Sequence, residues 1–200
     1  MIEAYLIHIL VLVGIYIILA VSLNLALGYT GMLNLGHVAF FGIGAYTSAL
    51  LTKSGVHFLI AFPLAGLFVT IFGYFLVLAT NKLKGDYLAL ATLSFSFVVY
   101  SLLLNLTFLT RGPLGVAGIM KPEFFGLRIL YPSQYLIFVA IIVTISVFII
   151  HRIVKSPFGR LLQATRDDEL GLKVLGKNTF KLKYKAMMIS AFFAGIAGSL

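Results

Sequence analysis

One stretch near the end of the chain has the spacing of a chemical site. Residues 171–177 match G-x-x-x-x-G-K, the spacing of a phosphate-binding loop. Such a loop follows a buried strand and places Ser or Thr directly after the lysine to hold magnesium. Here residues 166–169 read Arg-Asp-Asp-Glu, which cannot form a core strand, and Asn178 follows the lysine. The match therefore predicts no nucleotide site, and we expect no catalytic residue and no cofactor.

The same stretch fits two short helices. Ser156 followed by proline predicts a helix start, with the helix running through Leu162. Thr165 with Asp168 three residues later predicts the cap of a second helix, and Gly176 suits the left-handed position that ends it. The second helix carries apolar residues at spacings of four and three, namely Leu170 with Val174 and Leu172 with Leu175. Such a helix can dock in a groove of a partner or pack on this chain's own helices.

The composition that surrounds these helices is that of a membrane protein. Of 200 residues, 61% are hydrophobic and 10% are charged, and the mean hydropathy is +1.09. Residues 4–52 contain no Asp, Glu, Lys or Arg. As one helix they would be about 73 Å long, against a bilayer core of about 30 Å. The run must therefore contain a turn, most plausibly in its glycine-rich middle.

We expect an all-α integral membrane protein, a polytopic helix bundle with about six transmembrane segments. Residues 1–200 are expected to form a single transmembrane domain. No basic residue precedes the first apolar run, which favours an uncleaved helix over a signal peptide. The chain has no cysteine, and no metal site is expected. The apolar segments are Ala4–Leu27, Gly36–Thr52, Val56–Thr80, Tyr87–Thr110, Gln134–His151 and a sixth beginning near Ala186.

The basic residues predict the orientation. Residues 152–185, here called the basic loop, carry nine Lys and Arg against three acidic residues, and Lys82 and Lys84 lie two spans earlier. The positive-inside rule makes both loops cytoplasmic. The rule then places the remaining four basic residues outside, namely Lys53, Arg111, Lys121 and Arg128. The N-terminus is then outside if the glycine-rich break turns completely, and inside if it is re-entrant.

The net charge of +9 does not indicate nucleic-acid binding, because a loop between two spans is a poor nucleic-acid surface. A topology determinant beside anionic lipid also explains the charge.

Glycines mark the expected interruption. Gly28, Gly31 and Gly36 suit a break between helices because glycine adopts backbone angles closed to other residues. Non-helical backbone at membrane depth requires cover by protein or a wet cavity. After the break come Gly42 and Gly44, and Gly44 with Ser48 would let another helix approach closely. The segment is either a tight turn with a close-packed helix or part of a transport route.

Five polar residues in or near spans are candidates for a translocation pathway: Asn24, Asn34, His37, Thr92 and Ser94. Each could instead hydrogen-bond helix backbone, and the sequence does not separate the two roles. For His37, a structural role as a hydrogen-bonding residue is a simpler interpretation than a role in proton transfer, because no carboxylate lies nearby in sequence.

Four ordered stretches resemble one family. They are "LGYTGMLNLGHVAFFGIGAYTSALL", "LKGDYLALATLSF", "LTRGPLGVAGI", and "SPFGRLLQATRDDELGLKVLG" with "ISAFFAGIAGSL". From about Leu23 to Leu200 the chain resembles the permease subunits of branched-chain amino-acid ABC transporters, in particular the subunit that carries the "GDYLA" segment. The resemblance implies an importer of leucine, isoleucine or valine in the cytoplasmic membrane of a prokaryote. It implies a second permease subunit, two cytoplasmic ATPase subunits and an extracytoplasmic substrate-binding protein as partners.

The resemblance also implies that the basic loop is a coupling loop that contacts an ATPase. The expected contact residues are Arg166, Asp168, Glu169, Leu170, Lys173 and Gly176. Related loops carry a small pair after the glutamate and an acidic residue where this chain has Lys173. Arg111 stands where the outer loop of the family has a glycine, and Asn34 where a serine is usual.

Length is a further difference, because relatives continue with more spans after the helix expected near Ala186. That helix has a stripe of small residues, Ser190, Ala194 and Gly198, and so expects close neighbours, either in another chain or in missing spans. A truncated chain or split gene would explain this. The alternatives to a branched-chain amino-acid permease are a urea or short-amide permease, an ion-coupled secondary transporter and a non-transporting remnant.

Overall fold

A computed structural model describes residues 2–83, 85–118, 123–124, 127–128 and 131–200. Lys84 and Lys121, two of the basic residues assigned to loops above, and Ile119 of the outer-loop motif lie outside these described residues. In chain order the elements are α1 (Ile2–Thr30), α2 (His37–Lys53), α3 (Phe58–Thr80), α4 (Gly85–Asn105), α5 (Thr107–Thr110), a 3-10 turn (Gly112–Leu114), β1 (Glu123–Phe124), β2 (Leu127–Arg128), α6 (Pro132–Lys155), α7 (Pro157–Asp167), α8 (Glu169–Val174) and α9 (Thr179–Ser199).

The predicted helical class is confirmed, and the strands β1 and β2 form one short antiparallel pair. Four helices within the described residues are long and apolar enough to cross a bilayer alone: Tyr5–Thr30, Phe58–Thr80, Gly85–Asn105 and Pro132–Lys155. Helix α2 has 17 residues, or about 26 Å of rise, and α9 has lysines in its first turns. A count of six spans therefore depends on including these two helices.

Helix α9 is the centre of the bundle. It packs on α1, α2 and α3, and most of its residues from Ala186 onward are buried. It begins at Thr179, seven residues before the predicted start, because the side chain of Asn178 accepts a hydrogen bond from the Lys181 amide at 2.9 Å. Of the lysines that follow, Lys181 and Lys185 are exposed and Lys183 pairs with Glu169, so all three lie on the helix and do not mark a loop.

The small residues of α9 find their close neighbours within this chain. A Cβ added to Gly44 of α2 would lie 2.4 Å from the carbonyl oxygen of Gly195, and one added to Gly73 of α3 would lie 2.8 Å from the Cβ of Ala191. Glycine at 44 and 195 therefore permits helix contact at backbone distance. The stripe therefore has close neighbours within this chain, and the expectation of further ones in another chain or in missing spans stays a prediction. Gly42 has ordinary contact only, with Leu103 at 3.5 Å, and takes no part in this close approach.

The direction of each helix follows from its contacts with α9. Helix α2 is parallel to α9, since Asn34 lies beside Met187 and Gly44 beside Gly195. Helix α3 runs the opposite way, since Gly66 lies beside Ile196 and Gly73 beside Ala191. Helix α1 also does so, and α6 runs parallel to α1, on which it packs. Residues 31–36 therefore reverse the chain completely, as one of the two predicted alternatives requires.

The basic loop and the α3–α4 turn occupy one end of the bundle, here called the loop end. Residues 81–83 line a cleft of about 500 Å³ together with residues from α8 and α9. The outer-loop motif lies at the opposite end, where α4 stops at Asn105 instead of continuing to Thr110 as predicted. There Arg111 has a left-handed backbone with φ of 60°, a conformation that favours the glycine usual in the family.

Candidate functional site

The break between α1 and α2 is a turn held by backbone hydrogen bonds. The amides of Gly31 and Met32 donate to the carbonyls of Leu27 and Ala26 at 3.0 and 3.3 Å, and Gly31 has φ of 70°. Gly28 lies inside α1, which continues to Thr30, so the sequence placed this residue in the break wrongly. The break proper begins at Gly31, where a left-handed residue ends the helix.

His37 and Ser22 connect the start of α2 to α1. The hydroxyl of Ser22 donates to the Leu19 carbonyl at 2.8 Å, and its oxygen lies 2.8 Å from the Nε2 atom of His37. With the hydroxyl proton directed at Leu19, the tautomer that is protonated at Nε2 donates to the Ser22 oxygen. The Nδ1 atom is buried and has no hydrogen-bond partner among the described residues. This arrangement supports the structural interpretation of His37.

Asn34 and Thr92 hold the middle of the break. The Asn34 amide accepts from the Gly36 N–H at 3.0 Å and donates to the Met187 sulfur at 3.5 Å. Thr92 of α4 accepts from the Leu35 N–H at 3.0 Å. Two backbone groups freed by the break are therefore paired by side chains, as membrane depth demands.

Gly36 is needed because α4 approaches it at backbone distance. A Cβ at this position would lie 2.2 Å from the Thr92 carbonyl oxygen. The backbone of Gly36 has φ of −90°, which any residue can adopt, so the requirement is space and not conformation. The break thus depends on glycine twice, for backbone angle at Gly31 and for space at Gly36.

The sequence-predicted pathway residues fall into two groups. Asn34, His37 and Thr92 converge on the break and are buried, with exposed fractions of 3%, 3% and 0%. Asn24 and Ser94 are exposed on α1 and α4 and lie apart from this cluster. Ser94 donates to the Leu90 carbonyl of its own helix at 2.9 Å.

Sequence reasoning missed Ser22 and Met187, and it assigned Ser190 only to a stripe of small residues; all three complete the polar contacts around the break. Ser190 of α9 donates to the Ser22 carbonyl at 2.6 Å, which links the central helix to α1. No local signal distinguishes these residues, because Ser and Met are common in membrane helices. Their roles depend on which helices meet.

The basic loop contains two capped helices, as predicted, with one cap misplaced. Ser156 caps α7 by accepting from the Gly159 amide at 3.4 Å, and α7 runs to Asp167, beyond the predicted Leu162. Thr165 lies within α7 and bonds the Leu161 carbonyl. The cap of α8 is Asp168, whose carboxylate accepts from the Gly171 amide at 2.9 Å.

Glu169 fixes α8 to the start of α9. Its carboxylate contacts Lys173 at 2.9 Å and Lys183 at 2.7 Å, and it accepts from the Thr179 hydroxyl at 3.2 Å. Partial burial alone would raise the pKa of Glu169. The hydrogen bonds and charges of Lys183 and Lys173 outweigh that effect and lower the pKa from 4.5 to about 2. Glu169 is therefore ionised at neutral pH and turned toward its own chain.

The opposite face of α8 is apolar and exposed. Leu170, Val174 and Leu175 have exposed fractions of 69%, 88% and 75%, whereas Leu172 is buried beneath them. Gly176 ends the helix with φ of 73°, as predicted. The short helix is thus anchored by one leucine and one ion-pair cluster while it presents three apolar side chains outward.

Arg166 joins the basic loop to the break. Its Nη1 donates to the Gly28 carbonyl at 2.7 Å, and its Cγ lies 2.9 Å from where a Cβ on Gly31 would stand. A cation at the C-terminal end of α1 also complements the helix dipole. The two segments singled out by sequence, one around residue 31 and one around residue 169, are therefore in contact through this side chain.

Four of the described helices are long and apolar enough to cross a bilayer, and they define a multi-pass membrane protein. Comparison with known proteins identifies its family. Residues 5–200 match the family described as branched-chain amino acid transport system / permease component. The chain is 40% identical over 210 residues to the high-affinity branched-chain amino acid transport system permease protein LivM of Salmonella typhimurium and to that of Escherichia coli. A probable LivM permease of Methanocaldococcus jannaschii is 28% identical over 223 residues. No solved structure matches the chain significantly.

The chain belongs to the family of permease components of branched-chain amino acid transport systems. It is a protein of the prokaryotic cytoplasmic membrane. The matches cover 93% of this chain and 49% of each of the two enterobacterial relatives, so the chain spans about half their length. For the archaeal relative the covered shares are 94% and 64%.

Proposed function

We propose that this chain is the membrane-spanning permease subunit of an ATP-binding-cassette importer for leucine, isoleucine and valine. The observation that carries the proposal is helix α8, which exposes an apolar face and directly follows α7, whose Arg166 bonds the Gly28 carbonyl beside the break. The printed names of the relatives supply the solute class. The chain itself catalyses no reaction, and residues 1–200 act as one transmembrane unit.

The loop end faces the cytoplasm. Nine of the fifteen basic residues of the chain lie in the basic loop, and the positive-inside rule places such a loop on the cytoplasmic side. Helix α1 then begins outside, because its last turn contacts Arg166 at the loop end. An extracytoplasmic binding protein meets the opposite end, where the outer loop around Arg111 lies.

Each of two cytoplasmic ATPase subunits docks on a permease subunit, and α8 is the docking helix of this one. Leu170 and Val174 project from α8 and Leu175 follows it, so together they form an apolar face suited to a groove in the partner. Asp168, Glu169 and Gly176 shape this helix and hold it in place. Of the six residues expected to contact the ATPase, Leu170 lies in this apolar face, with Lys173 and Arg166 at its edges. Val174 and Leu175 are added to the proposed contacts, and Asp168, Glu169 and Gly176 are assigned to the helix itself.

The translocation pathway runs along exposed faces that a second permease subunit completes. Asn24 and Ser94 are polar groups on such faces, where they can meet a solute. Asn34, His37 and Thr92 instead hold the break in shape, since their polar atoms bond the backbone or Ser22. The break sits between the pathway and the docking helix.

Uptake of radiolabelled leucine by a strain that lacks this chain tests the proposal. The account predicts that uptake falls to background, returns on complementation and requires ATP in energised vesicles. Uptake that persists in the deletion strain contradicts it, and uptake that depends on a proton gradient alone indicates a secondary transporter instead. Competition by isoleucine and valine, and not by urea or acetamide, supports the proposed solute class.

A further inference from the structure

The cleft at the loop end has the features of a binding site for an anionic headgroup. It has a volume of about 500 Å³ and is built from the α3–α4 turn, the end of α8 and the start of α9. Four lysines line it: Lys82, Lys173, Lys177 and Lys183. These lysines are far apart in sequence, and the fold brings them to one concave surface.

The cleft retains a clear excess of positive charge. Glu169 is the single carboxylate among its described lining residues, and Lys173 and Lys183 both bond it. Four cations against one anion leave a balance of +3. Since each ammonium has three donors, the two paired lysines keep donors for a further acceptor. Glu169 also holds these two ammonium groups in fixed positions, which reduces the entropy that a ligand must remove.

Apolar residues border the cationic ones. Leu83 and Phe180 line the same cleft. The last turns of α3, which lead into it, expose Phe75 and Leu78 with fractions of 61% and 45%. The surface therefore changes from charged to apolar where the span ends, at the depth of lipid headgroups.

We propose that this cleft binds the phosphate of an anionic phospholipid, with Lys82 and Lys177 as its principal contacts. The lysines bond the phosphate oxygens while an acyl chain lies along α3. Basic pockets between membrane helices on the cytoplasmic side take such headgroups, and polybasic surfaces attract anionic lipid. The site is independent of the transported solute, because no candidate pathway residue lines it.

Native mass spectrometry of the full chain, titrated with phosphatidylglycerol or phosphatidylcholine, tests the proposal. The test variant combines Lys82→Gln and Lys177→Gln, which leaves the Glu169 ion pairs intact. The control combines Lys155→Gln and Lys181→Gln, two exposed lysines at the same end that do not line the cleft. At roughly fivefold for each lysine, the test variant should bind phosphatidylglycerol about 25-fold more weakly, and binding to the control should be nearly unchanged. Phosphatidylcholine should bind weakly to all three.

The other outcomes are equally definite. If inorganic phosphate displaces phosphatidylglycerol from the wild-type chain and the control variant but not from the test variant, the anion site is supported. Free phosphate is then a competing ligand of the same site. Equal weakening in test and control variants contradicts the proposal, because it shows unspecific surface charge. The proposal is also contradicted if the test variant binds lipid as the wild type does but no longer co-purifies with an ATPase subunit, since the cleft would then bind protein. None of these readouts requires transport, so they stand apart from the test of the proposed function.

Discussion

The guanidinium of Arg166 in α7 donates a hydrogen bond to the carbonyl oxygen of Gly28 in the last turn of α1, at 2.7 Å. This bond crosses from the basic loop to the membrane break and joins residues 138 positions apart. Under the proposed function, a docked partner that displaces the loop would move the end of α1 through this bond. The contact gives the proposed coupling a physical route.

Replacing Arg166 should uncouple transport from ATPase docking. We expect Arg166→Ala to lower leucine uptake by about five- to 150-fold, the usual range of a coupling free energy, while an ATPase subunit still co-purifies. Arg160→Ala is the matched control, since Arg160 is an exposed arginine of the same helix. Equal uptake by both variants would show that the hydrogen bond between Arg166 and Gly28 does not couple the basic loop to transport.

The space at Gly36 should be essential, whereas Gly42 should not. Gly36→Ala places a methyl group 2.2 Å from the Thr92 carbonyl and should destabilise the protein by about 1 to 3 kcal/mol, as overpacking does. Gly42→Ala meets only Leu103 at 3.5 Å and should be neutral or stabilising by up to about 1 kcal/mol. Thermal unfolding in detergent measures both, and an unchanged Tm for Gly36→Ala would contradict the described contact.

Loss of the Glu169 carboxylate should loosen α8. Glu169→Gln removes the ion pairs with Lys173 and Lys183, and we expect faster tryptic cleavage between α8 and α9. Asp86→Asn is the control, because Asp86 is an exposed carboxylate at the same end. Faster cleavage of Glu169→Gln than of the control supports the role of the ion pairs, and equal rates mean that the ion pairs do not hold the helix.

The same ion pairs should be insensitive to pH over the physiological range. The folded-state pKa of Glu169 is lowered to about 2. The stabilisation that its ionised carboxylate gives to the folded state is therefore fully present above about pH 4.5 and is lost as the pH falls toward 2. Spin labels at Leu170→Cys and Lys181→Cys should report a constant distance between pH 8 and pH 5. A change within that range would contradict the assigned ionisation.

The left-handed backbone of Arg111 should be strained. A non-glycine residue in this region costs about 1 to 2 kcal/mol, so Arg111→Gly relieves strain although it also increases the entropy of the unfolded chain. We expect a net gain of up to about 1 kcal/mol in thermal unfolding. Arg111→Ala, which keeps a Cβ, should give no such gain; equal effects would show that charge and not backbone angle matters.

The sequence predicts the helices well because charge is expensive in lipid and therefore marks loops. It fails where charge and loop do not coincide: the lysines after Asn178 lie on α9, since long side chains reach outward from a helix. It also fails at Thr165, where two possible caps lie three residues apart and Asp168 is the one used.

Contacts between distant segments could not be predicted. His37 finds Ser22 and Arg166 finds Gly28 only because particular helices pack side by side. The apolar pattern of α8 predicted a docking helix, yet not that Glu169 would face inward. Residue type and spacing restrict what a segment can do, and packing decides which neighbour it meets.

The central claim is that the apolar face of α8 meets an ATPase in the cytoplasm. Because the chain has no cysteine, Val174→Cys gives a single reactive position, and Leu114→Cys is a control at the opposite end with the same exposed fraction of 88%. Crosslinking in intact membranes with bound partners should join position 174, and not position 114, to an ATPase subunit. A crosslink from position 114 alone, or labelling of position 174 by an impermeant reagent added outside the cell, would contradict the account.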